Sequence, residues 1–194
     1  MDKYYKKLSS FLSKNNTISK NDEELYEYAI KVVIHAIVNI GVTILIGLLF
    51  GMLKECVCLF ITFFSLRKVT GGLHLKKYIN CLACSTVIIS LTLVIIKHYN
   101  CFFDKQLFII MVCISIIVIS ILSPLENTNK PILYLEKFLY KLISIVLSVV
   151  FLIISVILLQ KDLELGYSFG LGLILTTILL IIGKLKNNYK IISE

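Results

Sequence analysis

The sequence predicts an all-α, polytopic transmembrane helix bundle of about six spans, with both termini on the cytoplasmic side. Three observations predict it. Of the 194 residues, 58% are apolar and the mean hydropathy is +0.90, above what a soluble domain carries. The apolar residues gather into six runs, near 30–53, 55–66, 81–96, 107–123, 142–159 and 165–183. With the termini inside, 16 of the 20 Lys and Arg residues fall on the inner segments and only Lys54, Lys97, Lys105 and Lys161 fall outside, which is the positive-inside bias. The first apolar run follows a polar, lysine-bearing stretch and is too long for a signal-peptide core, so no secretory signal is expected.

Taken in order, residues 1–28 form an N-terminal cytoplasmic segment. Lys6, Lys7 and Lys14 stand beside Leu8, Phe11 and Leu12, a pattern for an amphipathic helix on the inner membrane surface or for a solvated tail. Residues 29–194 form the membrane domain. A span needs about 20 residues to cross about 30 Å of hydrocarbon. Runs one, four, five and six reach this with their flanks, and run three does if the apolar residues just before it count. The second run, ECVCLFITFFSL, is short: twelve helical residues reach about 18 Å. It is either a re-entrant half-span or a helix that continues past Ser65 toward Gly71. The pairs Gly47/Gly51 and Gly166/Gly170 match the small-xxx-small spacing of membrane helix contacts. Pro124 and Pro131 bracket a polar turn, SPLENTNKP, between spans four and five. No internal repeat is visible.

The formal net charge of +8 suits cytoplasmic loops and anionic lipid headgroups. It does not suit nucleic acid, because no basic groove-reading helix accompanies it. Six cysteines are present, mostly in or beside apolar runs, where a free thiol behaves as a small hydrophobe. Zinc is not expected. Cys56 and Cys58 lie in the outer half of the second run, most of a bilayer from Cys81 and Cys84 if that run spans. His35 and Asn39 share a face of the first span, and a packing hydrogen bond explains them.

The chemistry concentrates in RKVTGGLHLKKYINCLAC, residues 67–84, a basic, glycine-bearing interruption of an apolar chain. A thiol nucleophile must be a thiolate, and a nearby imidazole can take its proton. His74 and Cys81 are seven residues apart. On one straight helix that is about 10.5 Å along the axis, marginal for a hydrogen bond. The sequence therefore predicts a break, with Gly71-Gly72 supplying the freedom to fold His74 back over the helix carrying Cys81. Cys81 is favoured over Cys84, because it lies at the boundary beside Lys76, Lys77 and His74 while Cys84 lies one turn deeper. On residues alone, a Cys and a His at a basic boundary are coincidental more often than catalytic. Arg67, the one Arg of the chain, could clamp a carboxylate, support an oxyanion or bind lipid phosphate. The Cys81 backbone N–H is an oxyanion donor candidate if the third span starts there. Gly72 serves the turn and Asn80 is a local candidate. Glu126 and Lys130 are candidates for touching a substrate.

Arg67, Gly71-Gly72, His74 and Cys81, with the loop SPLENTNKPI at 123–132, resemble the accessory gene regulator B (AgrB) family of polytopic cysteine endopeptidases. Leu75 departs from the small residue often found there, which bears on substrate preference. The resemblance implies His74 as base and Cys81 as nucleophile in a cytoplasmic catalytic loop, 67–81. It implies removal of the C-terminal tail of an AgrD-type pro-peptide through a Cys81 thioester. An internal Cys or Ser of the peptide then closes a thiolactone or lactone, making a quorum-sensing autoinducing peptide without any cofactor. Expected partners are that pro-peptide, the bilayer and a second copy in a homodimer. The competing readings are a non-catalytic peptide transporter or export component and a structural or signalling membrane subunit.

Overall fold

The computed structural model describes residues 2–14, 19, 22–71, 78–98, 104–125, 134–161 and 163–192. Gly72, His74, Glu126 and Lys130 lie outside the described residues. Every element within them is helical: α1 (Asp2–Lys14), α2 (Glu23–Leu49), α3 (Leu53–Thr70), α4 (Tyr78–Lys97), α5 (Lys105–Leu122), α6 (Tyr134–Gln160) and α7 (Leu165–Ile192). Five of them, α2, α4, α5, α6 and α7, are long and apolar enough to cross a membrane. The chain divides into two compact units, 1–42 and 43–194, the first ending within α2.

The short second run resolves as a continuous helix. α3 has 18 residues, about 27 Å at 1.5 Å per residue, so it runs on past Ser65 and is not broken into a re-entrant half. It falls outside the five on composition, because its ends carry Lys54, Glu55, Arg67 and Lys68. α2 is closed by a Schellman turn: the Met52 N–H donates to the Gly47 carbonyl (2.9 Å) and the Gly51 N–H to that of Leu48 (3.1 Å), with Gly51 at φ 67°. This is the left-handed residue that ends a helix. Gly51 is therefore a helix stop and not half of a small-xxx-small contact. Gly47 does make a contact, with an ideal Cβ falling 3.0 Å from that of Cys56 and 3.1 Å from the Leu53 Cα.

In the larger unit α7 is the centre. It packs on α3, α5 and α6, and 56% of its apolar window is buried against 22–28% for α4, α5 and α6. Membrane helices gain little from hiding apolar surface from one another, so they associate through close packing and polar contacts. α7 supplies both. A Cβ at Gly166 would lie 2.9 Å from the Ser155 carbonyl of α6, one at Gly170 would lie 2.5 Å from Phe108 of α5, and one at Gly172 would lie 2.8 Å from Thr62 of α3. The Ser155 hydroxyl donates to the Gly166 carbonyl (2.7 Å), and Thr177 donates to the carbonyls of Leu173 (3.0 Å) and Ser115 (3.3 Å). Other hydroxyls bond back to their own helix, Thr62 to Cys58, Thr92 to Ile88 and Ser148 to Ser144. Hydrocarbon offers them no water, so each must be satisfied within the protein.

The larger unit also shows which helix ends lie together. Ser123 after α5 donates to Ser144 of α6 (3.0 Å), and Leu125 N–H donates to the Thr70 carbonyl at the end of α3 (2.9 Å). At the other end Phe108 packs on Tyr167, ring centroids 4.8 Å apart. α5 and α6 therefore run antiparallel, and α5 runs parallel to α3 and α7.

Because the Phe108 ring is fully buried and cannot retreat, Gly170→Ala is expected to cost about 1–3 kcal/mol through overpacking. Gly41→Ala, with open space around it, is expected to be neutral or slightly stabilising. Thermal unfolding of the detergent-solubilised protein measures both.

Candidate functional site

The site begins where α3 stops. Gly71 has φ 74° and ψ −144°, a region open almost only to glycine. Its N–H closes the helix on the Arg67 carbonyl (3.2 Å). A Cβ at Gly71 would also stand 2.8 Å from the Leu125 carbonyl oxygen. The helix end and the segment after α5 are thus locked together: Leu125 donates to Thr70, and its carbonyl occupies the space a side chain at 71 would need. The sequence predicted that residues 67–96 would not be one helix. The helix stops at Thr70, Gly71 is outside it, and the next described helix is α4 from Tyr78.

α4 packs back on α3 and α7, and this brings Arg67 to Cys81 and Cys84. Phe63 and Arg67 of α3, Cys81, Cys84, Ser85 and Ile88 of α4, and Leu179 of α7 line a cleft of about 30 Å³. That is room for about one water-sized group, such as a carbonyl oxygen. Arg67 is half-buried, and its guanidinium carbon lies 5.8 Å from the Phe63 ring centroid. Lys68, one residue on, is exposed and sits over Phe64 at 4.6 Å. Both cations thus fold back one turn onto an aromatic face, where the ring quadrupole attracts them.

Cys81 is the fourth residue of α4. Residues 72–77, which precede α4, lie outside the described residues. The Cys81 side chain leans toward the helix N-terminus, the positive end of the macrodipole. Asn80 is exposed and does not line the cleft. Cys84 shares the cleft with Cys81, where the sequence separated the two by depth. Cys56 and Cys58 lie at the far end of α3, about 14–17 Å along the axis from Arg67, and the Cys56 thiol donates to the Thr43 carbonyl (3.3 Å). Among the described residues no three His, Cys, Asp or Glu side chains are grouped to hold a metal ion. His35 accepts or donates a hydrogen bond with the Tyr5 hydroxyl (3.4 Å), in keeping with a packing role.

Sequence reasoning missed Phe63, Ser85, Ile88 and Leu179. Three of them carried a signal: Phe63 is one turn before Arg67, and Ser85 and Ile88 follow Cys81 at i+4 and i+7 on one helix face. Leu179 comes from a distant helix and carried none. Chemically, the cleft sets two thiols beside a half-buried cation, with the Cys84 thiol exposed. There a developing negative charge is stabilised more than it would be in water.

The family described as Accessory gene regulator B (AgrB) has a model that matches residues 5–180, and the chain belongs to that family. An AgrB-like protein of Clostridium beijerinckii is 26% identical over 125 residues, which are 63% of this chain and 61% of that relative, so the chain spans less than two thirds of the relative's length. No solved structure matches the chain significantly.

Gly71→Ala is expected to lose about 1–3 kcal/mol from backbone strain and to shift the thermal midpoint down accordingly. It is also expected to free the 123–125 segment, read as faster amide hydrogen exchange at Leu125.

Proposed function

We propose that this member of the AgrB family is a membrane cysteine endopeptidase that cuts the C-terminal tail from an AgrD-type pro-peptide and promotes its cyclisation into a quorum-sensing autoinducing peptide. The observation that carries the reading is the cleft that holds Cys81 against Arg67 at one end of the bundle. The spacing of Arg67, Gly71-Gly72, His74 and Cys81 supports it, as does the tie between this helix end and the Pro124 loop.

In this reading His74 takes the proton of Cys81 Sγ. Chain connectivity alone keeps His74 within about 11 Å of Gly71, three residues away. The thiolate attacks the scissile carbonyl, and the oxygen takes up negative charge near Arg67. The C–N bond then breaks, the amine of the departing tail takes its proton from His74, and the peptide is left as a thioester on Cys81. A Cys or Ser of the same peptide gives its proton to His74 and attacks that thioester, Cys81 leaves as thiolate, and a thiolactone or lactone closes. A thioester retains the acyl energy that hydrolysis would waste. A nucleophile tethered in the same peptide competes with water because its effective concentration is high. In the same reading Gly72 serves the turn and Glu126 and Lys130 contact the substrate. The positive-inside bias puts the site on the cytoplasmic face of the cell membrane, with both termini on that side.

The test is co-expression with an AgrD-type pro-peptide, following tail release and the hydroxylamine-sensitive acyl-enzyme by mass spectrometry. Cys81→Ala and His74→Ala should abolish both signals, and Cys84→Ala should leave tail release intact. Arg67→Ala should slow it about 100-fold, the scale of a lost oxyanion donor, and Arg67→Lys should recover only part, since a point charge lacks the planar fork. Tail release that survives both the Cys81 and the His74 substitution ends this reading.

A further inference from the structure

α1 is built inside out. Its 13 residues, DKYYKKLSSFLSK, present three faces at 100° per residue. The buried face holds Tyr5, Ser9 and Ser13, exposed to 4%, 0% and 7%. The face carrying Tyr4, Leu8 and Phe11, spaced i, i+4, i+7, is exposed to 78%, 46% and 59%. Lys6 and Lys7 are exposed as well. A helix facing water alone would turn the serines out and the aromatics in. This one turns an aromatic and aliphatic stripe outward and hides hydroxyls.

Its attachment says what lies outside. Tyr5 meets His35 of α2 by a hydrogen bond (3.4 Å) and an edge-on ring contact, centroids 5.9 Å apart. α2 is long and apolar enough to cross a membrane, and His35 lies twelve residues into it, about 18 Å from its start. α1 is therefore held against the flank of a span, where the surrounding medium is bilayer. The charge completes the argument. Residues 2–14 hold four lysines against one aspartate, the balance that draws a helix to anionic headgroups. The same balance would set lysines against lysines if a second copy docked through this stripe.

We propose that α1 is an interfacial helix whose Tyr4–Leu8–Phe11 stripe inserts into the acyl boundary of an anionic leaflet while Lys6 and Lys7 engage its phosphate headgroups. This is independent of the chemistry at Cys81.

The chain contains no tryptophan, so Phe11→Trp places a single reporter on the stripe of the full-length protein, and Leu8→Trp gives a second. Each variant is reconstituted in vesicles of phosphatidylcholine, with or without phosphatidylglycerol, carrying brominated acyl chains. The expected result is blue-shifted emission that brominated lipid quenches in the anionic vesicles. Adding Lys6→Gln or Lys7→Gln should weaken docking about fivefold per lysine, and added salt should act in the same direction. Water-like, unquenched emission in anionic vesicles overturns the proposal, because the stripe is then solvated. Blue-shifted emission that no lipid quenches also overturns it, because a protein surface then covers the stripe. Equal quenching in both lipids, indifferent to the lysine variants, overturns it too, since headgroup charge then plays no part.

Discussion

The termination of α3 at Gly71 is the constraint on which the site depends. Had helix continued from Arg67 through Cys81, fourteen residues would have separated them by about 21 Å along one axis. Interrupting it there lets α4 pack back on α3 and sets both residues in one cleft. Two features enforce the stop. The backbone at 71 occupies a conformation that a Cβ disfavours, and the Leu125 carbonyl stands where that Cβ would be. The Thr70 carbonyl, which a continuing helix would have used, is taken by Leu125 N–H. One glycine thus serves two segments: it ends a helix, and it admits the backbone of the loop that follows α5.

The cleft needs a wall as well as a turn, and α7 provides it through Leu179. The position of α7 is fixed farther along by glycines that admit Phe108, Ser155 and Thr62 to its surface. In a bilayer such contacts carry the packing, because lipid tails are as apolar as the side chains they would replace. The hydroxyls of Ser155 and Thr177 add bonds across helices. The two glycines at 166 and 170, matched by spacing to a helix contact, are thus spent inside the chain, against α6 and α5, and leave no case from these residues for a homodimer interface.

What the sequence made legible follows from which forces are local. The apolar runs and the lysine asymmetry marked the helices and their alternation, because crossing hydrocarbon constrains every residue of a span. The helix stop after Thr70 was legible because two adjacent glycines rarely sit inside a helix. The length of α3 was not, since its ends carry Lys54, Glu55, Arg67 and Lys68 and hydropathy loses such a helix where its charges begin. Gly51 was misread because spacing cannot distinguish a packing glycine from one at positive φ. The outward apolar stripe of α1 was half legible: amphipathicity showed in the pattern, but burial of the serines depends on a tertiary contact. The tie between Thr70 and Leu125 joins residues 55 apart in sequence, and no local pattern announces it.

The pairing of Cys81 and Cys84 with one guanidinium sharpens the question of which sulfur is set up to react. Sequence depth had separated them, yet both line the cleft with Arg67. Proximity to Arg67 therefore cannot rank them, and their places on the helix must. Cys81 is the fourth residue of α4 and Cys84 the seventh, about 4.5 Å farther along the axis. Helix-end electrostatics fade within about a turn, so the sulfur nearer the N-terminal end of α4 takes more of the positive end of the macrodipole. Under the proposed chemistry, then, position along α4 distinguishes the two thiols where the shared cleft does not.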